Sequence, residues 1–88
     1  MFKIVKAEQL SATVYMKVVE APRVAQACEP GQFIIVRLDE TAERIPLTIC
    51  DYDREAGTIT IVVQEVGAST TKMGNLKEGD CFRDFAGP

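Results

Sequence analysis

Within Arg44-Ile45-Pro46-Leu47-Thr48-Ile49 a permanent cation, a rigid bend and a hydroxyl follow one another at two-residue intervals. An arginine guanidinium is a fixed fork of donors that matches phosphate oxygens, and it stays charged when partly desolvated. Pro46 fixes its own φ and biases Ile45 toward extended backbone, so the segment reads as an irregular or edge strand lacking one ladder donor. On an extended strand Arg44, Pro46 and Thr48 share one face while Ile45, Leu47 and Ile49 share the other. One face is free for a phosphorylated, planar ligand and the opposite one enters a core.

A second chemical feature is Val66-Gly67-Ala68-Ser69-Thr70-Thr71, which reads as a strand running into a helix. A helix start exposes unpaired N–H groups and the positive end of the macrodipole, so phosphate there meets backbone donors and, in this case, several hydroxyls. Gly67 permits a close approach to the backbone. Each residue also has a plainer explanation. Arg44 as a solvated cation would pair with Glu43 or Asp51, Pro46 would guard an edge strand, Thr48 would be a simple β-former, and a Gly before Ser and Thr would be only a cap.

The elements that must position these residues are mostly strands. Phe2 to Leu10 and Thr13 to Glu20 form a hairpin around Ser11-Ala12, and the weakly marked stretch from Ala21 to Glu29 reads as a loop with one helical turn. Glu29-Pro30-Gly31 is a turn. It launches Gln32 to Leu38, a continuous apolar run that implies a strand covered on both sides. Asp39 to Glu43 is an acidic connection into the Arg44 strand, Asp51 to Gly57 a charged turn, and Thr58 to Val66 a fifth strand. Ala68 to Leu76 reads as a helix with Ser69 as its N-cap, ended by Lys77-Glu78-Gly79-Asp80, and Cys81 to Phe85 as a last strand. Six strands with one short helix between strands 5 and 6 fit an all-β, six-stranded antiparallel Greek-key barrel.

Composition narrows the function classes. The 88 residues make one domain with a single small core. A net charge of −3 offers no basic footprint for nucleic acid. No apolar run reaches membrane-spanning length, and Met1 to Lys6 is too short and too charged for a signal peptide, which points to the cytoplasm. Cys28, Cys50 and Cys81 are widely separated and there is no histidine, so neither a zinc nor an iron-sulfur ligand set is expected. The cysteines read as small reduced hydrophobes, with Cys50 the exception to watch because it follows the ligand-facing segment.

Arg44-Ile45-Pro46-Leu47-Thr48-Ile49 resembles the flavin-binding motif of the ferredoxin-NADP reductase-like flavoproteins: an arginine, a variable residue, an aromatic or proline, then a Ser or Thr. Variants with proline and an aliphatic before the hydroxyl occur in the electron-transfer subunit of dihydroorotate dehydrogenase and in the alpha subunit of NADH-dependent ferredoxin:NADP oxidoreductase, or sulfide dehydrogenase. The later order, Gly67 to Thr71, Leu76, Gly79-Asp80 and Gly87-Pro88, extends the resemblance along the chain. It implies a ferredoxin reductase-like barrel binding FAD in preference to FMN.

On that resemblance Gly67, Ser69, Thr70 and Thr71 hold the flavin pyrophosphate opposite Arg44, and Leu47, Thr48 and Ile49 run beside the isoalloxazine ring. Gln64, Glu65 and Val66 meet the ribityl or adenine side. Pro46 stands where many plant-type members stack a tyrosine on the flavin, so ring stacking is unexplained. The resemblance further implies an oxidoreductase passing electrons between NAD(P)H and an iron-sulfur subunit or ferredoxin. The NAD(P)-binding and iron-sulfur regions are missing from this chain, so the piece is expected to hold flavin without being active alone and to be open to self-association. The competing class is a cofactor-free β-barrel interaction module that uses a strand edge to bind a protein.

Overall fold

In the computed structural model, which describes residues 2–29, 31–37 and 44–86, alternating burial along the strands turns one face of each inward. β1 (Phe2–Gln9) and β2 (Val14–Glu20) form the first hairpin, closed where the Leu10 and Ser11 N–H groups donate to Val14 O at 2.8 and 3.0 Å. Along β2, Tyr15, Lys17 and Val19 face inward. β-Branched and aromatic residues at this spacing favour the pleated, half-buried surface of a strand. β5 (Thr58–Gln64) behaves likewise: Ile59, Ile61 and Val63 are buried, whereas Val62 and Gln64 face outward.

The strand order is β6-β1-β2-β5-β4-β3-β7, with every neighbouring pair antiparallel. β3 spans Phe33–Arg37 and β4 spans Ile45–Asp53. β6 (Cys81–Phe82) and β7 (Asp84–Ala86) are halves of one segment parted at Arg83. β6 pairs with β1 and β7 with β3, so this segment joins the two ends of the sheet. The result is the expected six-stranded Greek-key barrel, nearly closed on itself through this segment. The break at Arg83 also resets the alternation, which lets Phe82 and Phe85 both point inward. Their rings, 5.9 Å apart, stack at a tilt, with Phe2 5.8 Å from Phe85.

Several local expectations are corrected. The run from Phe33 to Val36 is not covered on both sides: Ile34 and Val36 are buried, but Phe33 is 61% exposed and Ile35 half-buried. A six-stranded barrel has one interior, so a strand of it has one apolar duty. β4 continues through Asp51, Tyr52 and Asp53, which the sequence assigned to a turn, because Tyr52 packs against the core opposite Ile59. A second helix, α1 (Pro22–Ala27), fills the weakly marked stretch, with Pro22 in its first turn and Val24 and Ala25 buried. α2 (Ala68–Gly74) is shorter than expected, and its N-cap is Gly67 rather than Ser69. The Gln32 N–H donates to Glu29 O at 3.2 Å, closing the expected turn there. The acidic connection at 39–43 and the terminal Gly87-Pro88 lie outside the described residues. Among the described residues no helix is long and apolar enough to cross a membrane.

Ile61 is fully buried at the middle of β5, so Ile61→Ala is expected to cost about 2–5 kcal/mol in urea denaturation. Val62→Ala, one residue on and facing outward, is expected to cost less than about 1 kcal/mol. Equal losses at the two positions would contradict the inward alternation of β5.

Candidate functional site

β4 holds the predicted motif, and its two neighbours divide it. Ile45 to Thr48 pair with β3 (Val36↔Ile45, Ile35↔Pro46, Ile34↔Leu47, Phe33↔Thr48), while the ladder to β5 begins only at Ile49↔Ile61. The register shift between Ile49 and Asp51 marks a bulge at Cys50, which coils the strand between its two partners. The Ile49 N–H donates to Gln32 O at 2.8 Å, and bonded and non-bonded pairs alternate in an antiparallel ladder. Leu47 and Ile45 are therefore the bonded positions toward β3, and the backbone groups of Pro46 and Thr48 point the other way, toward β5. No ladder meets them there. Pro46 sits where a missing N–H costs no β3 bond, and the Thr48 N–H is a donor aimed into the gap between β4 and β5.

The side chains divide as the alternation requires. Arg44, Pro46 and Thr48 are exposed, and Ile45 and Leu47 are half-buried against the core. Ile49 is 1% exposed, its N–H is bonded to Gln32, and its carbonyl accepts from the Gly31 N–H at 3.1 Å. It is a core anchor and not a ligand-facing residue. No hydrogen bond or ion pair ties Arg44 to another described residue, so the alternative pairing with Asp51 is not formed. Tyr52 is not available for stacking on a ligand: the Arg54 guanidinium lies 4.4 Å over its ring, and Arg54 also donates to Cys28 O at 3.0 Å.

The second predicted cluster follows β5. Because β4 and β5 are antiparallel, the start of β4 and the end of β5 lie at the same rim of the barrel, and Gln64, Val66 and Gly67 lead from that rim into α2. Gln64 and Gly67 are exposed and Val66 is 78% exposed. Gly67 has extended backbone that any residue adopts, and a Cβ built on it would meet nothing within 4 Å. Neither its conformation nor its neighbours explain the glycine.

Thr70 is committed elsewhere than expected. Its hydroxyl accepts from the Val66 and Gly67 N–H groups at 2.9 and 3.1 Å and donates to Gly67 O at 3.1 Å. Thr70 therefore shapes the turn and takes up two donors that the sequence left free for a phosphate. Thr71 is exposed on the first turn, and the Ser69 side chain lies outside the described residues.

Two side chains that the sequence did not single out hold α2 to the barrel end. The buried Tyr15 phenol donates to Thr70 O at 2.8 Å, and the buried Lys17 ammonium donates to Leu76 O at 2.7 Å while lying 4.9 Å over the Tyr15 ring. Burial lowers the Lys17 pKa, and the nearby Asp80 carboxylate opposes that shift. At Gly74 a Cβ would stand 2.6 Å from a Glu65 carboxylate oxygen and 3.0 Å from the Tyr15 ring, so a side chain there would require both to shift. The polar ends inside an otherwise apolar alternation were the available signal. A concavity of about 390 Å³ opens beside these residues, lined by Ala7, Gln9, Tyr15, Lys17 and Leu76. It is lined from β1, β2 and the segment that follows α2, and none of the predicted site residues lines it.

No family model matches the chain. An uncharacterized protein in the adh 3′ region of Clostridium beijerinckii is 52% identical over 88 residues, all of this chain and 30% of its own length. A dihydroorotate dehydrogenase B (NAD(+)) electron transfer subunit homolog from Thermotoga maritima is 40% identical over 86 residues, covering 98% of this chain and 30% of its own. A solved structure of an NADH-dependent reduced ferredoxin-NADP oxidoreductase, described for flavin-based electron bifurcation, superposes with a TM-score of 0.97 at 39% identity. The match covers 100% of this chain and 32% of that one. The chain thus spans about a third of the length of the relatives it matches.

Burial, and secondarily the Glu65 carboxylate, raises the Tyr15 phenol above its ordinary 10.0. The folded state therefore keeps a proton that the unfolded chain loses, so this stabilisation is complete below about pH 10 and falls as pH rises beyond it. Relative to Tyr15→Phe, the wild type is expected to lose urea stability between about pH 8 and about pH 11. At the lower pH the variant itself should cost about 1 kcal/mol for the lost bond to Thr70 O. Parallel pH profiles for the two proteins would show that the phenol is not held as described.

Proposed function

We propose that this chain, which shares its fold with part of a solved NADH-dependent ferredoxin-NADP oxidoreductase and matches about a third of the length of its relatives, is a barrel of the ferredoxin-NADP reductase-like family and holds the flavin of an electron-transferring oxidoreductase, FAD in preference to FMN. The observation that carries this reading is the rim shared by the start of β4 and the end of β5. Arg44, Pro46 and Thr48 stand exposed there in alternation, beside an unladdered backbone gap and a glycine that the chain itself does not need. A planar, phosphorylated group suits such a place: its polar edge bonds to strand backbone, its face lies on apolar side chains, and its charge meets a guanidinium.

In this reading Arg44 screens the diphosphate with a charge-assisted fork of bonds. The Thr48 N–H and hydroxyl meet the polar edge of the ring, and Pro46 lies against its face. Gly67 leaves room for the diphosphate at the backbone, with Thr71 and Ser69 beside it and Gln64 and Val66 toward the ribityl and adenine side. Leu47 and Ile49 act from beneath by anchoring the strand to the core, and Thr70 acts by setting the turn. When bound, the flavin supplies the redox chemistry, and the residues above hold it, orient it and exclude water from one side. The oxidoreductase as a whole would add an NAD(P)-binding domain and an iron-sulfur subunit or ferredoxin, and would move electrons between NAD(P)H and that centre.

Titration of the protein with FAD, followed by flavin fluorescence, tests the reading. The wild type is expected to bind FAD, and Arg44→Ala to weaken binding by about 10- to 100-fold through loss of a charged hydrogen-bonding partner. Unchanged affinity in the variant removes Arg44 from the site. A wild type that takes up neither FAD nor FMN overturns the flavin reading and favours the cofactor-free interaction module.

A further inference from the structure

We infer that Phe33 is the aromatic wall of the flavin site, with its ring packed against the isoalloxazine in place of the aromatic that Pro46 does not provide. The inference rests on the flavin reading above and assigns a residue outside the Arg44 motif and the α2 turn. A single exposed apolar side chain needs no explanation by itself. Phe33 is set apart by where it stands and by what the other aromatic residues are doing.

Phe33 is directly opposite Thr48 in the β3–β4 ladder, on the same outward face as Ile35 and Pro46. By the alternation fixed at Ile49, this is a non-bonded pair, the kind in which cross-strand side chains come closest. Phe33 and Pro46 thus flank Thr48, whose backbone groups point into the unladdered gap toward β5, and Val62 faces outward on the far side of that gap. Apolar surface and hydrogen-bonding backbone lie side by side, which suits a flat ring with an apolar face and a polar edge better than it suits a wholly apolar partner.

The aromatic inventory points the same way. The chain has four phenylalanines and two tyrosines. Phe2, Phe82 and Phe85 are packed on one another at the core. Tyr15 is buried with its hydroxyl on Thr70 O, and Tyr52 is covered by Arg54. Phe33, at 61% exposure, has no ring partner among the described residues and is the one aromatic free to meet a ligand. Contact with a second aromatic face adds attraction beyond the area buried, through the offset stacking that ring quadrupoles favour.

The test uses Phe33→Ala, Phe33→Tyr and Phe33→Trp in the same chain, titrated with FAD. Phe33→Ala is expected to bind FAD about tenfold more weakly, with a melting temperature without flavin close to that of the wild type, since the residue is outside the core. Phe33→Tyr is expected to restore affinity to within about threefold. Phe33→Trp places an electron-rich indole against the excited ring, so the bound flavin should gain a short-lived fluorescence component absent from the wild type. Unaltered FAD affinity in Phe33→Ala, or no such component in Phe33→Trp, overturns the assignment while leaving the flavin reading intact. Failure of the wild type to bind FAD or FMN removes both.

Discussion

β4 cannot serve both of its neighbours along its whole length, and the candidate site is a consequence of that limit. In a barrel of few strands each strand must tilt and coil to close the ring, and coiling is concentrated where a ladder is interrupted. β4 takes the interruption at Cys50: beyond it, toward Asp53, the strand is laddered to β5, and before it, toward Ile45, to β3. The unladdered stretch leaves the Thr48 backbone pointing into a gap. A proline at position 46 is tolerated for the same reason, since the bond it cannot make is one the barrel has already given up.

The other half of the rim is held from inside. A seven-residue helix has little stability of its own, so its position depends on tertiary contacts. Met73 supplies the apolar contact by entering the core, and the two polar tips on the inner face of β2 supply the rest. Burying an ammonium group is costly unless its donors are used. Lys17 meets that condition with the Leu76 carbonyl and the face of Tyr15, which ties the end of α2 to the middle of a barrel strand. The turn from β5 into α2 is in turn closed by Thr70, so the exposed Val66-Gly67 backbone is presented by a framework fixed at three points.

Much of this was legible residue by residue. The period-two pattern in Arg44 to Ile49 assigned the correct face to each side chain, because a strand's alternation is a local property of the backbone. The turn at Glu29 to Gln32 and the strand-to-helix passage at Gly67 were readable for the same reason. What was not legible depends on partners distant in the chain. Phe33 and Ile35 looked buried because four apolar residues in a row give no sign of which side has a neighbour. Asp51 and Asp53 looked like a turn because their own preferences are poor for strands, and only the pairing of Tyr52 with Ile59 overrides them. Thr70 is a different case, since its partners are only three and four residues away: placing the N-cap at Ser69 instead of Gly67 hid the capping box that Thr70 completes.

The sequence by itself determined the class of barrel, the exposed alternation of Arg44, Pro46 and Thr48, and the glycine at the head of α2, since these follow from short-range stereochemistry and hydrophobic period. The tertiary structure alone decided that β4 trades one neighbour for another at Cys50, that Phe33 stands across from Thr48, and that Tyr15 and Lys17 hold α2. Those are matters of register and closure. A ladder's register is a relation between segments far apart in the chain, and no window of neighbouring residues contains it.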